Sequence, residues 1–220
     1  MKQSKKSPFT GPIFHTLAVV PLVVIMFAAL GTTVGLIGGA QFLEISGGLA
    51  DISTFFFTAL LACTPLYILF GWRRVLTLKK PLGLYTFMYA SMHYFVFSSA
   101  FGFDIGATAT ATISSYMLIF GFIALALLVP LALTSNRWSM KTLGRGWKRL
   151  HYLTYVIAVF IVLHLLVLGE GQILAVLYAI LLAIRLPPIK KAIIKARRNR
   201  EGSLGVPFLT HLHHKEKKTS

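Results

Sequence analysis

The 220-residue chain is 56% apolar and only 13% charged, where a soluble domain carries about 25% charged. Its net charge of +16 comes from 22 Lys and Arg against 6 Asp and Glu. A chain this apolar is neither a soluble nucleic-acid binder nor a disordered basic tail, and a single cysteine, Cys63, excludes a disulfide-stapled secreted domain; a polytopic membrane protein remains.

A membrane helix needs about 20 mostly apolar residues to cross about 30 Å of hydrocarbon. Six such stretches run roughly over 13–38, 52–72, 82–101, 113–135, 150–168 and 171–187. They are continuous rather than alternating, so they read as helices, and the fold class is an all-α membrane bundle of six spans. The first run is too long for a cleaved signal peptide and is read as a retained helix. Pro187-Pro188 stop the last one.

The charges orient the spans. The segment before the first span holds 3 Lys, the second-to-third connection 4 Lys and Arg, the fourth-to-fifth connection 5, and the stretch from Arg185 onward 10, which is all 22. The other connections carry only Glu44, Asp51, Asp104 and Glu170. Positive residues stay cytoplasmic, so both termini are expected inside a bacterial inner membrane. The division is a cytoplasmic N-terminus at 1–12, a six-helix domain at 13–188 and a basic tail at 189–220. In the tail, Ile189, Ile193 and Ile194 beside lysines suggest an interfacial turn or two lying on the lipid bilayer. No loop exceeds about 15 residues, too few for a nucleotide-binding domain of about 100. The Gly-x-Gly pairs at Gly144–Gly146 and Gly169–Gly171 follow no strand and carry no phosphate-loop meaning.

Ionisable groups inside a membrane need a reason. His15, His93, His151 and His164 fall in or at the edge of spans, and no carboxylate lies deep in any of them. His93 lies 13 residues past Lys80 and His164 15 past Arg149, so their depths differ by only about 3 Å. His151 lies 2 residues past Arg149, about 16 Å shallower than His93, and cannot join that pair. Spacing alone leaves three readings open: bis-histidine haem ligation from facing helices, histidines that hydrogen-bond between helices, and a transporter or proton path. His15 can sense the interface or join His151, and His211, His213 and His214 in the tail read as solvated.

Several separated motifs carry a resemblance. They are Thr64-Pro65-Leu66, Lys79-Lys80-Pro81-Leu82-Gly83-Leu84, Met92-His93, Thr134-Ser135, the run from Leu143-Gly144-Arg145-Gly146-Trp147 through Arg149-Leu150-His151-Tyr152 to Tyr155, and Leu163-His164. At these spacings the region of about residues 60–190 resembles the ferric reductase-like transmembrane domain. Within it, the run is most similar to the haem-binding membrane subunits (MsrQ, also called YedZ) of bacterial periplasmic methionine-sulfoxide reductase systems. Lys79-Lys80 stand where that family carries Arg-Arg. Ser46-Gly47 are what remains of a Thr-Gly segment that there also carries a histidine.

The resemblance implies His93 and His164 as axial ligands of one b-type haem, and His151 as a ligand or close neighbour of a second redox centre. It implies an electron-transfer subunit rather than a complete enzyme. The donor would be a cytoplasmic flavin reductase, a bound flavin such as FMN, or a quinol, with Trp147, Tyr152 and Tyr155 as aromatic rings that can stack on it or belong to the interface belt. The acceptor would be a periplasmic oxidoreductase, a molybdenum-cofactor methionine-sulfoxide reductase being the one the resemblance suggests. Direct ferric-ion reduction, a haem-free permease using its histidines as relays, and a membrane anchor are the competing expectations.

Overall fold

A computed structural model describes residues 39–203, together with Val19 and Val23. Apart from those two valines, the expected first span at 13–38 lies outside the described residues, as do His15 and the tail histidines. Everything described is helix or short connection, with no strand among the described residues.

The chain runs through α1 (Gly39–Phe70), a short 3-10 helix (Arg73–Leu78), α2 (Lys79–Ser99), α3 (Ile105–Ile113), α4 (Tyr116–Leu133), α5 (Arg137–Leu143), α6 (Arg145–Leu150), α7 (Leu153–Val167), α8 (Gln172–Ala183) and α9 (Pro187–Ser203). Among the described residues, three helical stretches are long and apolar enough to cross a membrane: Glu44–Phe70, Tyr116–Leu133, and Arg145–Val167, in which α6 leads into α7. The bent pair Gln172–Ala183 and Pro187–Arg200 raises this to four if counted as one span. Exposed apolar side chains such as Phe55, Leu133 and Ile173, 67%, 69% and 87% exposed, would be a liability in water and suit contact with lipid.

Three differences from the sequence reading have physical causes. α1 begins at Gly39 rather than near 52, because nothing between Gly39 and Asp51 breaks a helix: there is no proline, and Gly47-Gly48 weaken the ladder without interrupting it. The expected span at 82–101 is a helix, but its buried face carries Tyr85, Thr86 and Tyr89, so it is less apolar than the other spans. The expected span at 171–187 is a helix of only 12 residues, about 18 Å long. Its continuation turns by 71° into α9, which Pro187 opens at a helix start where its missing N–H costs nothing. α9 itself is a 17-residue helix, longer than the interfacial turn or two expected.

α3 was not foreseen. It forms because Asp104, in extended backbone, accepts the Ala107 N–H at 2.6 Å and so caps an Ala/Thr run.

The helices pack as two antiparallel pairs, α1 with α2 and α4 with α7, and contacts between the pairs are sparser. Leu49, Tyr85, Tyr89 and Val96 bury the seam of the first pair. Phe57, Leu61, Leu128, Ile157 and Tyr178 form the core where α1, α4, α7 and α8 meet.

The quoted motifs close helix ends. Pro65 inside α1 has no N–H for the Leu61 carbonyl, and the guanidinium of Arg185 donates to that carbonyl instead. Arg197 of α9 donates to Tyr67 O and Ile68 O, both at 3.1 Å, at the C-terminal end of α1, where a cation also suits the helix dipole. Thr134 and Ser135 return their hydroxyls to Pro130 O and Leu131 O at the end of α4, and the Trp147 indole donates to Thr134 O at 2.9 Å.

A candidate two-histidine cofactor site

His93 stands near the end of α2 and His164 near the end of α7, so each helix pair delivers one imidazole. Both line one cleft between the pairs, open to the outside on one side. Its walls are mainly apolar, with Phe97, Phe122, Leu125 and Ile161 among them, and Thr112 of α3 reaches it from the connection before α4.

Main-chain carbonyls orient both rings. His93 Nδ1 lies 2.9 Å from Ser46 O and 3.1 Å from Ser46 Oγ on α1. His164 Nδ1 lies 2.7 Å from Met117 O on α4. A carbonyl only accepts, so Nδ1 carries a proton in each ring, and in the neutral imidazole that leaves Nε2 as the nitrogen able to bind a metal. An imidazole held in this way through its far nitrogen is how proteins fix a metal-ligating histidine. Two such rings bordering one apolar cavity are residues that could hold the iron of a haem. No cluster of three or more His, Cys, Asp or Glu that could hold a bare metal ion is present among the described residues.

His151 is not part of this cavity. It sits between α6 and α7, half-buried, with its ring 4.0 Å from the Trp147 ring at 30°. Its Nδ1 donates to Trp147 O at 3.1 Å, which again leaves Nε2 free. Tyr155 lies beneath Arg185, whose guanidinium carbon is 5.6 Å from the ring centroid, and Tyr152 is 6.1 Å from Tyr155. Lys79, just before the expected span at 82–101, is held below its usual pKa by burial, with the Arg185 charge adding to the shift.

Depth counting therefore separated the histidines as the structure does: His93 with His164, and His151 apart. The sequence reading missed the residues that orient the rings. Ser46 was noted only as a departure from a family segment, and Met117 not at all. Both act through the main chain, which leaves no side-chain signature.

The comparisons with known proteins agree with this architecture. Residues 47–162 match the family model for the ferric reductase like transmembrane component. The "Protein-methionine-sulfoxide reductase heme-binding subunit MsrQ" of Rhodospirillum rubrum is 36% identical over 161 residues, covering 70% of this chain and 74% of the relative. The protein of the same name from Herminiimonas arsenicoxydans is 34% identical over 158 residues, 67% of this chain and 72% of the relative. No solved structure matches the chain. A family model over more than half of the sequence and relatives matched over most of their own length establish that the chain belongs to the ferric reductase-like transmembrane family, alongside the MsrQ proteins.

Proposed function

We propose that this protein is a b-type haem membrane subunit that passes electrons from a donor on the cytoplasmic side to a periplasmic oxidoreductase of the methionine-sulfoxide reductase kind. The observation that carries the reading is the convergence of His93 and His164, each with Nδ1 tied to a carbonyl, on one apolar cavity. The name of the MsrQ relatives supports the cofactor and the class of partner.

In this reading His93 and His164 would hold the haem iron. Haem, when bound, supplies reversible one-electron chemistry at its iron. The chain's own part is to orient both rings through Nδ1 and to surround the site with Phe97, Phe122 and their apolar neighbours. His151, with its free Nε2 beside Trp147, is the residue we assign to a second redox centre nearer the basic loops, where a flavin reductase, FMN or a quinol would deliver electrons. We further propose six spans at 13–188 with both termini cytoplasmic in a bacterial inner membrane and the tail from 189 on the lipid surface. The support is the segregation of all 22 Lys and Arg into alternate connections and the two ends.

A reduced-minus-oxidised absorption spectrum of the purified protein tests the reading. It should show b-type bands that His93→Ala and His164→Ala each largely remove. Colourless wild-type protein, or full haem in both variants, rejects it.

A further inference from the structure

We propose that Gly121 is a positioning residue for His164: the missing side chain opens a notch in α4 through which the imidazole reaches the Met117 carbonyl. The inference rests on the reading of His164 as a haem ligand and adds the element that aims it.

Met117 and Gly121 stand four residues apart on α4, so the regular helical donor to Met117 O is the N–H of Gly121 itself. His164 Nδ1 joins the same carbonyl at 2.7 Å. To do so its ring must lie against the turn joining the two residues. A Cβ on Gly121 would sit 2.9 Å from both Nδ1 and Cε1 of His164 and 3.5 Å from Cγ. Any other residue would occupy the space the ring now fills. A glycine inside a helix is unfavourable relative to alanine, so its place here is accounted for by what it admits. The first helix pair repeats the arrangement in milder form. His93 Nδ1 reaches Ser46 O, and the residue four positions on is the small Ala50, which also lines the cavity.

Displacing the ring by even a few tenths of an ångström stretches the Nδ1 hydrogen bond and turns Nε2 away from the cavity. Losing the partner that orients a metal-bound histidine typically costs about 10–100-fold in metal-site affinity. Gly121→Ala is expected to weaken haem binding by about that factor, and to shift the g-values of the ferric low-spin electron paramagnetic resonance signal in whatever haem remains. Gly48→Ala, a glycine of α1 whose added Cβ meets nothing within 4 Å, serves as control and should change neither.

The decisive measurement needs no bound haem. Thermal unfolding of the apo forms in detergent is compared for wild type, Gly121→Ala, His164→Ala and the double variant. If Gly121 exists to admit the ring, Gly121→Ala lowers the melting temperature only where His164 is present. In the His164→Ala background it is neutral or raises it, as alanine does in a helix. Should Gly121→Ala alone fail to accumulate, accumulation of the double variant supports the proposal, and failure of both overturns it. Equal destabilisation in both backgrounds, or unchanged haem affinity and g-values in Gly121→Ala, also overturns it. Full haem occupancy in His164→Ala would instead reject the ligand reading, while the melting comparison would still decide the role of Gly121.

Discussion

The guanidinium of Arg185 donates to the main-chain carbonyl of Leu61, the acceptor that Pro65 leaves without a helical donor. A proline near the C-terminal end of a spanning helix is thus matched by a cation arriving from the end of α8. Arg185→Ala should cost about 1–3 kcal/mol, the penalty of a buried acceptor left alone, measured by unfolding in detergent. Pro65→Ala restores an N–H to Leu61, so the double variant should recover part of that loss. If Pro65→Ala and Arg185→Ala simply add, the two residues are not coupled in this way.

His151 should be separable from the cavity. His151→Ala is expected to keep the haem bound between His93 and His164, because its ring is not among the residues lining that cavity. Quantitative haem assay of His151→Ala beside His93→Ala makes the comparison, and equal loss in the two would place all three histidines at one centre.

At Ser46 the main chain, not the hydroxyl, is expected to matter. Ser46→Ala leaves the carbonyl at 2.9 Å from His93 Nδ1 and removes only the contact at 3.1 Å. One neutral hydrogen bond is worth about 1 kcal/mol, so haem affinity should fall by no more than about tenfold. Haem titration of the apo variant checks it, and a far larger loss would make the hydroxyl the principal partner.

Arg197 ties α9 to the end of α1. Arg197→Ala removes the donors to Tyr67 O and Ile68 O, and hydrogen exchange across 187–203 should quicken while the spectrum of the protein is unchanged. Gly71→Ala should resemble it, since Gly71 has φ +72° and a Cβ there would meet the Arg197 guanidinium at 3.1 Å.

Orientation can be read by labelling. Cys63 is buried and is the only cysteine, so Cys63→Ala provides a background free of thiols. Thr77→Cys and Ser114→Cys, both at exposed positions, should react with an impermeant maleimide from opposite sides of the membrane. Labelling from the same side would exclude the proposed arrangement of spans.

The sequence exposed the parts of this molecule that depend on side-chain type and spacing. The apolar runs located α4 and α7 closely, and counting from Lys80 and Arg149 paired His93 with His164. What it hid depends on the main chain. Gly47-Gly48 look like a break yet lie inside α1, and α3 rests on one aspartate cap. The ring partners at Ser46 and Met117 are carbonyls that every residue possesses. Even Thr64-Pro65, conspicuous as a motif, shows its purpose only once Arg185 is found 124 positions beyond Leu61.

The division into two helix pairs bears on how such a protein is made. Each histidine finds its carbonyl within its own pair, 47 residues back along the chain in both cases. The first hairpin can therefore emerge into the bilayer with its ring already aimed before the second has been synthesised, and the second needs nothing from the first to aim its own. If the proposed reading holds, a cofactor held by one ring from each pair would bridge two hairpins that already share the core of Phe57, Leu61, Leu128 and Ile157. Biogenesis on this plan separates membrane insertion from cofactor loading, and the apoprotein should be a pre-shaped receptacle rather than an unfolded chain.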